Sequence, residues 1–397
     1  MENRHLIPAF DPSGEWASFV CGDERATAAG IAWTLESLAV TQGWPTGVSI
    51  GTESDLMKRF TASRELVRQT VRILESRGSM RMQRGTKGGL YLVQTNVDVV
   101  ASGLVLYLRA WGVPRAELAS TFELADASFA ELGHEHVVSQ LYACARDVLL
   151  SDKVIPRAEA GRGLMIANGF VQQFAPVSEA GAYLGSEAQL CESFSSCRST
   201  FRQALRVLSD LGMLRVKRGR AGGYWLKQPS PMGVMRQIFS LLGSHHQQLE
   251  QVVPATCALN LVQLRLVMKR SAEQRAPLCE SLRTSLERAE EPIRWAMFQH
   301  ALAEHAGNKL IACLQRSLVI YQARLGPPAV DYASIAPALR AAELAIVEAL
   351  AQGADDEAIQ LQRDVQDQMS DLLGCPKLSR VSSDGSGLRH AQAHRRS

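Results

Sequence analysis

Hydrophobic positions recur along most of the chain at intervals of three and four residues, which is the period of an amphipathic α-helix. In the segment 64–77, Val67, Val71 and Leu74 follow this period and form one apolar stripe. The segment 53–60 before it has the same character over a shorter length. Both segments are therefore predicted to be helices that bury one face.

The residues around these two helices predict an ordered series of elements. Gly51 or Thr52 starts the shorter helix, and a break at 61–63 separates it from the longer one, which Gly78 ends. Two short β-type segments, MRMQR and GLYLV, then flank a glycine-rich turn. With the helical stretch ATAAGIAWTLESLAVTQG upstream, the order is helix, helix, turn, helix and β-hairpin. This order predicts a winged helix-turn-helix.

The same pattern occurs twice. Residues 51–92 align without a gap with residues 185–226, and 16 of the 42 aligned positions are identical. The upstream helix of the second segment is predicted within GRGLMIANGFVQQF. Two copies at so long a period indicate a duplicated domain rather than a solenoid. Each segment with its upstream helix is called a copy, first and second.

Both copies carry residues suited to DNA. Three arginines at intervals of four form one stripe on each longer helix, where Arg can bind guanine edges or phosphates in the major groove. The glycine-rich turn lets the backbone approach the sugar-phosphate chain. The predicted DNA contacts are Arg64, Arg68, Arg72, Arg84, Gly85 and Lys87 in the first copy, and Arg198, Arg202, Arg206, Arg218, Gly219 and Arg220 in the second.

The charge distribution agrees with this prediction. Residues 51–94 and 185–228 each carry a net charge of +5, so the rest of the chain must carry −7 to give the overall +3. A basic layer on an acidic body is the expected footprint of a DNA-binding protein. For one helix alone, a solvated arginine face is the simpler interpretation. Two copies that keep the arginines, the glycines and the hairpin favour DNA binding.

Composition limits the other classes of function. The chain has 397 residues, 46% of them hydrophobic and only 6% aromatic, which suits a mainly helical protein with a sizeable core. No apolar run reaches about 18 residues and the N-terminus lacks a signal core, so we expect a cytoplasmic protein without membrane contact. The eight cysteines are scattered, as in reduced proteins. No arrangement of nucleophile and base, no phosphate loop and no metal-hydrolase motif is present, so neither an enzyme nor a cofactor is predicted.

The motifs resemble the DNA-binding domain of the GntR family of bacterial transcription regulators. The first copy matches the family pattern with TESDL, SRELVRQTVRILESRG and the turn from Arg84, and the second with SEAQL, CRSTFRQALRVL and the turn from Arg218. The resemblance implies a bacterial, nucleoid-associated regulator. It also implies that Ser63 contacts a phosphate, with Cys197 at the matching position of the second copy.

The C-terminal region resembles the FCD effector domain of the FadR branch of that family. FQHALAEHAGNKLIACL and ELAIVEALAQGADDEAI match two of its segments. Many FCD domains bind a metal ion through one Asp and three His, but Trp295, Gln299 and Glu343 stand at matching positions here, so no metal is predicted. Two alternatives stay open, an apolar core or a pocket for an organic effector. The residues predicted to line the pocket are Arg265, Arg294, Trp295, Phe298 and Gln299.

The sequence thus predicts a mainly α chain with five parts. These are a winged helix-turn-helix domain at 1–95, a short helical connector (an FCD-like remnant) at 96–150, a second winged helix-turn-helix domain at 151–228, an all-α FCD-like helical bundle at 229–378 and a disordered basic tail at 379–397. The predicted function is sequence-specific regulation of transcription on double-stranded DNA. We expect a possible small organic effector and a homodimer formed through the C-terminal bundle. The alternative is an architectural protein that bridges or bends DNA with little sequence choice and no effector.

Overall fold

The structure is a computed structural model that describes residues 27–85, 88–151, 161–175, 180–217, 219, 222–288, 294–325 and 332–378. It is mainly helical, as predicted. The predicted tail at 379–397 lies outside the described residues. The elements are α1 (Ala28–Thr41), α2 (Glu53–Phe60), α3 (Arg64–Arg77), β1 (Met80–Gln83), β2 (Gly89–Leu92), α4 (Val97–Ala110), α5 (Arg115–Leu132), α6 (Val137–Leu150), α7 (Gly161–Phe174), β3 (Tyr183–Gly185), α8 (Glu187–Ser193), α9 (Arg198–Asp210), β4 (Leu214–Lys217), β5 (Gly223–Leu226), α10 (Met232–Ser244), α11 (Leu249–Met268), α12 (Ala272–Arg288), α13 (Arg294–Ala306), α14 (Lys309–Leu325), α15 (Tyr332–Gln352) and α16 (Asp355–Leu373).

Local signals set the helix ends of the first copy. Thr52 caps α2 in a capping box with Asp55, so the side chain of each residue bonds the backbone N–H of the other. The turn to α3 adopts a left-handed conformation at Thr61, with φ of 50°. Gly78 ends α3 in the same conformation, at φ of 71°. These are the start, break and stop that the sequence predicts.

The second copy repeats this geometry 134 residues later. Ser186 caps α8 in a capping box with Gln189, and Ser195 takes the left-handed conformation of Thr61, with φ of 45°. The hairpins also share one register, because Met80 pairs with Leu92 and Leu214 pairs with Leu226. Both copies therefore have the predicted order of three helices and an antiparallel hairpin.

A third extended segment joins each hairpin, which the sequence analysis did not predict. In the second copy β3 pairs with β5 to give a three-stranded sheet in the order β3-β5-β4. In the first copy the same contact is a single bridge between Ser49 and Tyr91. The segment is three residues long at most, too short to show the alternation that marks a strand in sequence.

The structural repeat continues beyond the aligned residues. Helices α4, α5 and α6 begin at residues 97, 115 and 137, while α10, α11 and α12 begin at residues 232, 249 and 272. The offset is 134 or 135 residues, close to the 134 residues that separate the aligned parts of the two copies. Helix α4 packs against α10 and α5 packs against α11. Equivalent helices thus contact each other inside a single chain.

The hydrophobic core runs through most of these elements. One cluster of buried residues extends from the first copy through α4–α6 and the second copy to α10, α11 and α14. A second cluster fills the space between α11, α12, α13, α15 and α16. Helix α11, at Leu249–Met268, has the length and mean hydropathy of a membrane span, but 78% of that stretch is buried inside the structure. It contributes to both clusters, as the central helix of a packed core does.

Candidate nucleic-acid interface

The two arginine stripes lie on the solvent side of α3 and α9, which we call the recognition helices. Their members, listed by copy, are all exposed: Arg64, Arg68 and Arg72, and Arg198, Arg202 and Arg206. The opposite sides pack into the core through Val67, Val71 and Leu74, and through Phe201, Leu205 and Leu208. This division leaves the guanidinium groups available to a partner while the helices stay anchored.

The same ion pair holds the second arginine of each stripe. Nε of Arg68 lies 3.4 Å from Oε2 of Glu53, and Nε of Arg202 lies 2.9 Å from Oε1 of Glu187. Each glutamate is in the first turn of the preceding short helix. Because the arginines remain half-exposed or more, the pair orients the side chain and leaves other N–H groups free to donate to DNA.

The caps of the recognition helices differ between the copies. Oγ of Ser63 accepts a hydrogen bond from the backbone N–H of Leu66 at 3.2 Å. At the equivalent place the exposed Cys197 makes no such bond, and its Sγ lies 3.2 Å from the Ser199 hydroxyl and 3.0 Å from the Thr200 hydroxyl. The Ser199 and Thr200 hydroxyls lower the pKa of the Cys197 thiol to about 7. The two helix starts therefore present different chemistry to a phosphate.

The two hairpin turns share the backbone conformation of their first glycine. Gly85 and Gly219 have φ of 115° and 109°, which favours glycine, and both are exposed. A Cβ at Gly88 would lie 2.8 Å from the backbone oxygen of Gly85, and one at Gly222 would lie 2.7 Å from that of Gly219. Glycine is therefore required for the turn to close this tightly. Arg84 is exposed next to the first turn, while Lys87, Arg218 and Arg220 lie outside the described residues.

The two recognition helices line one open cleft. It has a volume of about 1520 Å³ and includes Gln69 and Arg72 of α3, Arg202 and Arg206 of α9, and the second hairpin. Partial loss of water contact in the cleft, followed by the nearby charges of Arg72 and Arg202, lowers the pKa of Arg206. Arginines from the two copies thus repel one another across the cleft, which makes it a favourable place for an anion.

The described members of the predicted effector pocket have different surroundings. Phe298 is fully buried in the second core cluster and Gln299 is 3% exposed. Arg265 is half-buried on α11 and donates from Nη1 to Oγ of Ser128 at 2.5 Å. The side chains of Arg294 and Trp295 are outside the described set. The described members are thus divided between a packed core and a contact with α5.

The C-terminal helices bury several polar side chains, of which Gln263 and Gln362 were not predicted from the sequence. Gln263 and Gln362 are fully buried, and in the described residues neither amide has a hydrogen-bond partner; the same holds for the amide of Gln299. Glu343 is also fully buried. These side chains belong to α11, α13, α15 and α16, which pack around the second core cluster. Among the described residues, no group of three or more His, Cys, Asp or Glu could hold a metal ion.

Comparisons with known proteins find one curated regulator of transcription and one solved structure of a GntR protein. A curated protein of Mycobacterium gastri, "Putative HTH-type transcriptional regulator RmpR", is 27% identical over 156 residues. The match covers 39% of this chain, and the chain spans about half (52%) of the length of that relative. A solved structure, "Streptococcus agalactiae GntR", matches at 22% identity with a TM-score of 0.33, over 53% of this chain and 98% of the other. No protein-family model matches.

Proposed function

We propose that the protein is a sequence-specific transcription regulator that reads double-stranded DNA with both recognition helices of a single chain. The observation that carries the proposal is the double presentation of one surface. Each copy exposes the same arginine stripe, held by the same glutamate pair and followed by the same tight hairpin. The likeness to a curated regulator supports this class of function.

The two copies would read related but different half-sites. In the first turn of the recognition helix, Glu65 and Leu66 of the first copy correspond to Ser199 and Thr200 of the second. First-turn side chains are those that reach base edges when a helix enters the major groove. The arginine contacts are shared, so the half-sites have bases in common, while the neighbouring positions differ.

The C-terminal helices are the proposed regulatory part. We assign an effector role to the FCD-like region 229–378 because amides buried without partners, as at Gln299 and Gln362, are expensive unless a polar group satisfies them. A small organic molecule with polar groups would do so. The five-part division of the chain and the homodimer through the C-terminal bundle stay predictions, as does the bacterial cytoplasmic, nucleoid-associated location.

A selection of genomic fragments tests the function. Purified full-length protein is mixed with sheared DNA of its own organism, and the bound fragments are sequenced. A compact motif of two related halves is the expected result. Featureless enrichment along the genome would refute sequence-specific regulation and leave the architectural alternative.

Two matched variants connect that result to the proposed surface. Arg68→Ala should weaken selection of one half of the motif, and Arg202→Ala should weaken the other half. Arg283→Ala serves as the control, because Arg283 pairs with Glu280 and Glu348 on the C-terminal helices, away from the cleft. Equal loss of both halves in each variant would contradict the assignment of one half-site to each copy.

A further inference from the structure

A buried ion network joins the two copies near the C-terminal ends of α3 and α9. Nη1 of Arg77 donates to Oε2 of Glu36 at 2.6 Å, while its Nη2 and Nε donate to the two carboxylate oxygens of Asp210 at 2.7 and 2.9 Å. Ser79 donates to the other oxygen of Glu36 at 2.8 Å. The side chains of Arg77 and Glu36 are fully buried and that of Asp210 is 4% exposed. Glu36, Arg77 and Ser79 belong to the first copy, and Asp210 to the second.

The two carboxylates keep the Arg77 side chain positively charged. Burial by itself lowers the pKa of Arg77, but the carboxylates of Asp210 and Glu36 more than offset that effect and raise the pKa above its ordinary value. A guanidinium that bonds one carboxylate through two parallel N–H groups fixes orientation as well as distance. The contact between the copies is therefore directional.

The network uses positions at which the copies are unlike. Arg77 and Ser79 correspond to Leu211 and Met213, which are buried and apolar, and Asp210 corresponds to Ser76. The second copy shows that this fold forms with an apolar core at these places. Folding of one copy therefore does not require the charges. Their distinctive contribution is the bond from one copy to the other.

The ion pair between Arg77 and Asp210 lies where an approximate twofold axis relates the two copies. Gly103 of α4 and Gln237 of α10 are 134 residues apart, which is the offset between the aligned copies, and a Cβ at Gly103 would overlap Oε1 of Gln237. Equivalent residues contact each other only close to a twofold axis. The symmetric counterpart of Arg77 and Asp210 would be Leu211 and Ser76, which cannot form an ion pair. The charged contact therefore exists on one side of the axis alone.

We propose that Arg77 and Asp210 are positioning residues that hold the two recognition helices in one relative placement, so that the chain accepts two half-sites at a single spacing. The single spacing of half-sites on DNA rests on the proposed function. The clamp itself is a property of the protein and can be measured without DNA.

The decisive variant is Asp210→Ser, which installs the residue found at the equivalent position of the first copy. It removes the bond between the copies and leaves Arg77 paired with Glu36, so no buried charge loses its last partner. Spin labels on unnatural amino acids at the exposed, equivalent positions Lys58 and Glu192 report the distance between the copies. We expect a narrow distance distribution in the wild type and a broader one in Asp210→Ser. Equally narrow distributions would overturn the proposal.

A DNA selection with two half-sites and randomised spacer lengths gives the second readout. The wild type should favour one spacer, and Asp210→Ser should lose that preference while keeping its affinity for a single half-site. Asp355→Ser is the control, because it removes an ion pair with Arg275 inside the C-terminal helices. A preference retained by Asp210→Ser would overturn the proposal. Absence of any two-part motif in the wild type would instead refute the proposed function, and the distance distributions would still decide the clamp.

If Asp210→Ser does not fold, the triple variant Glu36→Gln, Arg77→Met, Asp210→Asn answers the same question. It removes every charge of the network and keeps the approximate shape of each side chain. The same two readouts and the same outcomes apply to it.

Discussion

Replacing Arg77 alone by Met should destabilise the protein severely, whereas neutralising the whole network should not. Arg77→Met leaves two carboxylates, those of Glu36 and Asp210, buried without their cation. Breaking a buried ion pair in this way costs about 3–5 kcal/mol in the free energy of unfolding. In the triple variant Glu36→Gln, Arg77→Met, Asp210→Asn no buried charge remains. Replacement of a whole buried ion network is often neutral or stabilising by about 1–4 kcal/mol.

Urea unfolding followed by tryptophan fluorescence measures the difference. With a slope of about 3 kcal/mol per molar urea, the expected loss in Arg77→Met moves the midpoint down by about 1 M or more. Arg283→Met is the matched control, because its exposed ion pairs contribute about 0–1 kcal/mol. A triple variant as unstable as Arg77→Met would refute the reasoning, since the charges would then be needed for folding itself.

Three further predictions concern the proposed DNA-binding surface. Arg68→Ala and Arg202→Ala should each reduce the slope of log K for DNA binding against log salt concentration by about 0.9, because each removes one phosphate contact. Fluorescence anisotropy measures the slope, and an unchanged slope would mean that these side chains do not contact the DNA phosphates. Cys197 should react with iodoacetamide at a rate that rises with pH through about 7, because its lowered pKa makes the thiolate available there. Cys257, whose burial raises its pKa to about 12, should stay unmodified. Bound DNA should slow the reaction of Cys197. Mass spectrometry of the peptides checks both expectations. Gly222→Ala should lower DNA affinity and leave the unfolding midpoint nearly unchanged, because the new Cβ displaces only the exposed hairpin turn. Unchanged affinity would mean that this turn does not contact DNA.

Elements defined by neighbouring residues could be predicted from the sequence. The ends of α2 and α3 depend on Thr52 and Gly78, which act within one helical turn. The exposure of the arginine stripes depends on the helical period alone. Both kinds of feature repeat in the second copy, so each was in effect observed twice in the same chain.

Features that depend on distant partners could not be predicted. Arg77 is the last residue of α3, and an arginine at a helix end is usually solvated. Its burial depends on Glu36, 41 residues away, and Asp210, 133 residues away. Gln263 and Gln362 are likewise ordinary helix formers in sequence, and only the packing of their helices shows that they are buried.

The presence of both copies in one chain explains why the charged contact occurs on one side of the pseudo-axis. In a dimer of identical chains, a substitution that gives Arg at one position and Asp at its neighbour appears on both sides at once. In a single chain with two copies each position varies independently, so Arg77 and Asp210 can form a pair while Leu211 and Ser76 stay neutral. The same independence allows the caps Ser63 and Cys197 to differ. Under the proposed function, such a chain holds its two recognition helices in one placement and still reads two unlike half-sites, which a symmetric dimer of identical chains cannot do.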